Sequence, residues 1–281
     1  MLASRCVRRT LLLIAAIAAA PLSAGAQGKL DASYTVTLAG IPIGKGDWTL
    51  EISDRHYSAS ATGAAVGLMR VLTSAHGATN ATGTFVDGQL VASTYYSTIT
   101  NHKKTDSVRL MVSGGDVKEA KVDPPEDMNP SRVPITEEAR KGIIDPMSAT
   151  LMLMPGNSAP LTPEACQRTL PIFDGKIRYD LKLAFKRMET VKADKGYAGP
   201  AVVCAISFTP IAGYIPSRAA IRYISGTHDI EVWLAPVAGT RMLVPFRAQG
   251  PTPIGPVVFA ADKFVATPMP TRASINGSKI Q

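Results

Sequence analysis

Apolar side chains recur at every second residue along most of this chain, and short turn signals break the runs. In "IRYDLKLAFK", Ile177, Tyr179, Leu181, Leu183 and Phe185 alternate with Arg178, Asp180, Lys182 and Lys186 two further on. A period of two sends successive side chains to opposite faces, so each run is a half-buried antiparallel strand. "YTVTLAGIPIGKGDWTLEIS" repeats the pattern as a hairpin, with Tyr34, Val36 and Leu38 on one arm and Trp48, Leu50 and Ile52 on the other. Gly40, Gly44 and Gly46 soften the bend between them. "HYSASATG" adds a third strand with Tyr57, Ala59 and Ala61 inward. Asp87-Gly88, Gly114-Gly115 and Asp174-Gly175 are pairs favoured where a two-residue hairpin needs positive φ.

The second half continues the pattern. "GPAVVCAISF" places Val202, Cys204, Ile206 and Phe208 on one face. "AAIRYISGTHDIEVWLAPVAGTRMLVPFRA" reads as three strands turning at 225–227 and 238–240, and "GPVVFAADKFVA" closes the series. Strands joined by tight turns lie antiparallel and next to one another. The expected fold is therefore mostly β: one antiparallel, strongly curved sheet or incomplete barrel, with one or two short helices against its concave face.

Three stretches depart from alternation. "VGLMRVLTS" (66–74) reads as a short helix or a buried crossing. "TEEARKG" carries helix signals in Thr136 as N-cap, early glutamates and a terminal Gly142. "DPMSATLMLMPG" has Asp145 as N-cap, Pro146 at the first helical position and Pro155-Gly156 as a stop. The proline-rich loop "DPPEDMNPSRVP" precedes both helices.

The N-terminus sets the compartment. A basic stretch with Arg5, Arg8 and Arg9 precedes the apolar "LLLIAAIAAA" and the small-x-small site Ala24-Gly25-Ala26. This is a Sec-type signal peptide (residues 1–26), cleaved before Gln27, so the mature protein is expected in the periplasm. The apolar run is shorter than the roughly 20 residues of a membrane span, and an integral membrane protein is not expected. Cleavage lowers the formal net charge from +8 to +5 and removes Cys6. The two cysteines left, Cys166 and Cys204, are expected to form a disulfide in an oxidising compartment. One β-rich domain is expected over residues 27–266, followed by a mobile tail at 267–281.

Specific chemistry is hard to find. Asp174 and Asp180 lie close in sequence, but one sits in a turn and the other up a strand between Arg178 and Lys182, which suits an ion pair better than a general acid. "GIPIGKG" is one residue short of a phosphate loop and lacks the following Ser or Thr. His56, His76, His102 and His228 show no metal-ligand spacing. No nucleophile elbow appears. Few aromatics argue against base stacking, so no nucleic-acid partner is expected. Catalytic residues, metal ligands and cofactors are all expected to be absent.

The Met-rich run stands out. Met147, Leu151 and Met154 would share a helical face, and Leu68, Met69 and Leu72 in "VGLMRVL" add a second apolar group. A helix apolar all round is ordinarily buried core. The alternative is a ligand-lining surface, since unbranched Met adapts to partners of variable shape, acyl chains included.

Taken in order, "YTVTLAGIPIGKGDWTLEI", "DPMSATLMLMPG" and "IFDGKIRYDLKL" resemble the proteobacterial family catalogued as domain of unknown function 3108, over about Tyr34 to Phe264. The resemblance implies a Gram-negative envelope protein and brings no catalytic residues with it. The cysteine pair is not expected throughout that family. More loosely, the chain is similar to the half-open barrels of periplasmic lipoprotein carriers, a fold-level analogy. The expected function is non-enzymatic binding of a lipid or lipoprotein acyl chain. The alternative is an envelope structural protein with a closed core that meets another protein or peptidoglycan through its surface, for instance by strand addition.

Overall fold

The computed structural model describes residues 27–156, 159–227 and 229–269. The expected signal peptide (residues 1–26), residues 157, 158 and His228, and the chain beyond Met269 lie outside the described residues. Alternation is carried into structure with little change at the start of the chain. In β1 (Gly28–Leu38) Leu30, Ala32 and Tyr34 are buried, in β2 (Ile41–Ile52) Trp48, Leu50 and Ile52, and in β3 (His56–Ala65) Tyr57 and Ala59. After helix α1 (Gly67–Thr73) come β4 (His76–Val86), β5 (Gln89–Asn101), β6 (Lys104–Ser113) and β7 (Asp116–Asp123). The turns at Ala39-Gly40, Asp87-Gly88 and Gly114-Gly115 all have positive φ at both residues, as a type I′ hairpin demands. The β1–β2 bend is confined to that first pair; Gly44 and Gly46 lie inside β2.

The second half comprises β8 (Met152–Leu153), β9 (Arg168–Phe173), β10 (Arg178–Lys192), β11 (Lys195–Gly196) and β12 (Ala198–Ala212). Helix α2 (Ala219–Ser225) and strands β13 (Ile230–Pro236), β14 (Met242–Thr252) and β15 (Gly255–Pro268) complete it. All fifteen strands belong to one sheet, ordered β7-β6-β5-β4-β3-β2-β1-β15-β14-β13-β12-β10-β9, with β8 and β11 attached to β14 and β15. Pairing is antiparallel except at β11. The sheet is open, with β7 and β9 as its edges, so no barrel is closed, and the strong curvature expected from the sequence is not borne out. β15 runs to Pro268 opposite Gly28, two residues beyond the expected domain end.

The main core lies on one face and draws on both halves of the chain, uniting Leu30, Leu50 and Tyr57 with Val203, Trp233 and Phe246. A second core occupies the opposite face of β12–β14, where Val202, Cys204, Leu234 and Leu243 are fully buried. The middle of those strands is thus covered on both sides.

Three local expectations need correction. Residues 136–142 form only a 3₁₀ turn at Glu138–Arg140, although Thr136 Oγ1 does cap it by accepting the Ala139 N–H. Residues 145–154 are not a helix: a 3₁₀ turn at Ser148–Thr150 gives way to β8. A short run apolar on every side satisfies a strand buried on both faces as well as it satisfies a buried helix, and pairing with β14 decided between them. "AAIRYIS", expected as a strand, is α2. Neither α-helix has a buried residue, so neither packs as a core helix on a concave face.

The path of β8 follows from a split in the sheet. β14 and β15 pair only between Arg247–Thr252 and Gly255–Ala260. Before that, β14 accepts β8 through Leu243↔Met152, and β15 accepts β11 through Lys263↔Lys195. The chain crosses the sheet at this gap, since Leu151 belongs to the main core and Met152 and Met154 to the second. Residues 159–166 form a strap over the second core, where Leu161, Ala165 and Cys166 pack, and the Cys166–Cys204 disulfide joins that strap to β12.

Candidate functional site

The "FDGKIRYD" stretch ends as a hairpin of a different kind from the one expected. Only Gly175 has positive φ, and the link is a four-residue loop between Phe173 and Arg178. Asp174 Oδ1 holds it by accepting the Lys176 and Ile177 N–H groups at 2.8 and 2.7 Å. Asp180 Oδ1 accepts from the Arg178 guanidinium at 2.6 Å. The two carboxylates are engaged separately. Farther along β10, a bulge at Phe185–Arg187 reverses the alternation, leaving Phe185 exposed while Val191 enters the main core.

The six proposed ligand-lining residues do not form one surface. Leu68 and Leu72 stand exposed on α1, with Met69 partly covered. Met147 is half-buried against the main core and Leu151 lies within it, whereas Met154 is on the far side of the sheet. The assignment assumed one continuous helix at 145–154, and the chain crossing separates that face.

The largest apolar hollow lies elsewhere. Gly213, with φ +79, follows the end of β12 at Ala212, and the chain turns into α2, whose residues face β13–β15 across a hollow. Between them is a cleft of about 760 Å³ lined by Ala220, Tyr223, Ile224, Ala248, Val257 and Phe259, among others. Phe259 also walls a smaller hollow of about 170 Å³ with Trp48 and Met147. There Phe259 stacks on Tyr34 at 4.2 Å between ring centroids, and the Tyr34 hydroxyl donates to the Pro245 carbonyl. Burial raises the Tyr34 pKa far above its ordinary value, so the hydroxyl stays a neutral donor.

The apolar lining of the cleft is interrupted at Gln249, which donates to Glu231 Oε2 at 3.3 Å. Glu231 is buried but paired with Lys186, the bulged residue of β10, and with Arg187. Burial works to raise its pKa, yet hydrogen bonds and charge from Arg187 and Lys186 prevail and hold it low. The Arg187 and Arg247 guanidinium groups lie 5.3 and 4.8 Å from the centre of the Trp233 ring. This network keeps β10, β13 and β14 in register at the cleft wall.

A second buried polar group sits by the 3₁₀ turn. Asp145 Oδ1 accepts the Ser148 N–H at 2.9 Å, and Ser148 Oγ is 2.6 Å from the Tyr57 hydroxyl. Asp145 is fully buried, and its Oδ2 has no hydrogen-bond partner among the described residues. Burial raises its pKa. Among the described residues, no group of three or more His, Cys, Asp or Glu side chains is arranged to hold a metal ion.

Sequence reasoning missed α2 and with it the cleft. The signal was there: Pro216 and Ser217 stand just before "RAAIRYIS" and Gly226 just after it, helix punctuation that apolar periodicity overrode.

A protein-family profile described as "Protein of unknown function (DUF3108)" matches residues 33–262. The chain belongs to this family. No curated protein matches the DUF3108 chain in sequence. Among solved structures, it is similar to a β-barrel-like protein of the domain of unknown function DUF1849 from Brucella abortus. The TM-score is 0.44 at 10% identity, covering 86% of the DUF3108 chain and 98% of the other. No helix among the described residues is long and apolar enough to cross a membrane.

Proposed function

We propose that this DUF3108 protein is an exported, periplasmic and non-enzymatic carrier or receptor for an apolar or amphipathic envelope molecule, a lipid or lipoprotein acyl chain, held between α2 and β13–β15. The observation that carries the proposal is the cleft of about 760 Å³ with its nearly continuous apolar wall. That size falls in the range of roughly 300–1,000 Å³ usual for small-molecule sites. Each methylene transferred from water contributes about 0.8 kcal/mol, so even part of an acyl chain supplies useful affinity. The N-terminal signal sequence supports export. The sheet is open and neither closed nor strongly curled, so the proposal rests on the α2 cleft and not on a barrel interior. Strand addition has less support, because edge strand β7 carries Asp116, Lys118, Glu119, Lys121 and Asp123 and edge strand β9 carries Pro171, features that discourage edge pairing.

Gentle purification followed by native mass spectrometry and organic extraction tests this reading. We expect a stoichiometric lipid adduct. Uptake of a fluorescent long-chain fatty acid should fall at least tenfold in Ala220→Trp, which fills the cleft from an exposed position. A mass equal to the bare polypeptide, together with no fatty-acid uptake, would overturn it.

A further inference from the structure

The connections at one end of the sheet share a chemistry that cargo binding alone does not require. Strand direction places the β1–β2 turn, α1, the β5–β6 turn, α2 and the β14–β15 turn at this end. Four of the five are tied into one rim. Ala39 N–H donates to the Pro256 carbonyl, Val66 N–H to Ile43 and His102 N–H to Thr73, at 2.8, 3.0 and 3.2 Å. Apart from Met128, the six most exposed large apolar side chains all belong to this rim: Val71, Ile254, Leu68, Ile41, Leu72 and Ile99, from 77% down to 57% exposed. Single exposed aliphatics are ordinary, but six gathered on one edge mark an interaction surface.

Charge identifies what that surface meets. Segments 39–46, 64–76, 99–105, 216–227 and 252–257 contain Lys45, Arg70, Lys103, Lys104, Arg218 and Arg222, and the acids at their borders are three, Asp47, Asp106 and Asp229, so cations outnumber them two to one. Arg70 lies on α1 between Leu68 and Leu72. With His76 and His102 it lines a cleft of about 640 Å³ beside the helix. Of the acids near this end, Asp106 on β6 is paired with Lys104, and Asp229 stands just before β13. Glu126 is paired with Arg132 and Lys176, and Asp174 holds its own loop; Asp127 is exposed.

We propose that this rim docks the protein on an anionic phospholipid bilayer. Leu68, Val71, Leu72, Ile41 and Ile254 enter the interface, and Arg70, Lys45 and Lys103 meet lipid phosphates, with the Arg70–His76–His102 cleft receiving one headgroup. Apolar insertion beside cationic residues is the physical form of interfacial binding, and each Lys or Arg close to an anionic surface strengthens it about fivefold. A protein partner with an apolar patch would not call for a surplus of cations spread over four separate connections. The two surfaces meet at α2 and the β14–β15 turn, but none of the inserting residues lines the α2 cleft, and docking functions with or without cargo.

Co-sedimentation of the mature protein with vesicles tests it. Vesicles containing phosphatidylglycerol should bind at least tenfold more tightly than pure phosphatidylcholine vesicles, and high salt should weaken the difference. Arg70→Glu and the double variant Val71→Ser/Leu72→Ser should each weaken binding at least tenfold. These positions are exposed, so the variants should keep the wild-type circular dichroism and thermal transition. Ala220→Trp should still bind vesicles, which separates failure of cargo binding from failure of docking. Equal binding to both vesicle types, no binding by the folded protein, or no effect of either rim variant would overturn the proposal.

Discussion

Asp145 shows how one carboxylate can serve structure at an electrostatic cost. Its Oδ1 caps the 148–150 turn, and burial raises its pKa. In the unfolded chain it titrates near 4. The folded state therefore keeps its proton to higher pH than the unfolded state does. The resulting stability is fully present below about pH 4 and is lost as pH rises through the folded pKa. Asp145→Asn retains an acceptor for the Ser148 N–H and removes the charge. Its stability between pH 4 and 7 should be flatter than the wild type's, and at pH 7 it should be within about 1 kcal/mol of the wild type or above it. Asp145→Ala should lose about 1–2 kcal/mol through the missing cap. Urea denaturation across pH checks both; a large loss in Asp145→Asn at pH 7 would mean that the ionised carboxylate has a favourable partner. Close by, Gly83 is glycine for steric reasons: a Cβ there would collide with the Tyr57 ring and hydroxyl, and Tyr57 is the residue that meets Ser148.

At the scale of elements, the strap over the second core depends on the disulfide. Cys166 and Cys204 are both fully buried and 38 residues apart in sequence. Loop-closure entropy alone gives about 4 kcal/mol for a bridge of this span. Thiol titration of the unreduced folded protein should find no free thiol. Cys166→Ser/Cys204→Ser should lose a large part of that stability in urea denaturation, and its strap near Leu161 should be cut sooner by protease. Unchanged stability and protease resistance would mean that packing by Ala165 and Leu161 holds the strap without the bridge. The two α-helices are elements of a different sort. With no buried residue in either, little tertiary packing stabilises these seven-residue segments, which suits parts that contact a ligand or a surface.

For the whole molecule, the decisive contact joins the first strand to the last. β1 and β15 pair over the length of β1, so the middle of the sheet is complete only when both ends of the chain are present. Such non-local pairing predicts slow folding. The shared main core also predicts one cooperative transition. The chain has two tryptophans, Trp48 in β2 and Trp233 in β13, and both lie in that core. In Trp48→Phe and in Trp233→Phe, the fluorescence of the remaining tryptophan should follow far-UV circular dichroism with the same denaturant midpoint. Separate midpoints within either variant would divide the sheet into two folding units.

The sequence by itself determined the β class, most hairpins, the cysteine pair and the family. These rest on local rules: alternation sets faces, Asp-Gly and Gly-Gly pairs set turns, and few other signals compete with them in residues 28–123. It left undecided whatever depended on distant partners. The run from Met152 to Met154 is equally apolar as helix or strand, and only the gap between β14 and β15 made it a strand that carries the chain across the sheet. The alternation in β10 reverses at a bulge that Glu231, on another strand, helps to anchor through Lys186 and Arg187. The cleft and the rim were invisible for the same reason. Ala220 and Phe259, or Leu68 and Ile254, are brought to one place by strand order, and burial and proximity are properties of the packed sheet rather than of any single segment.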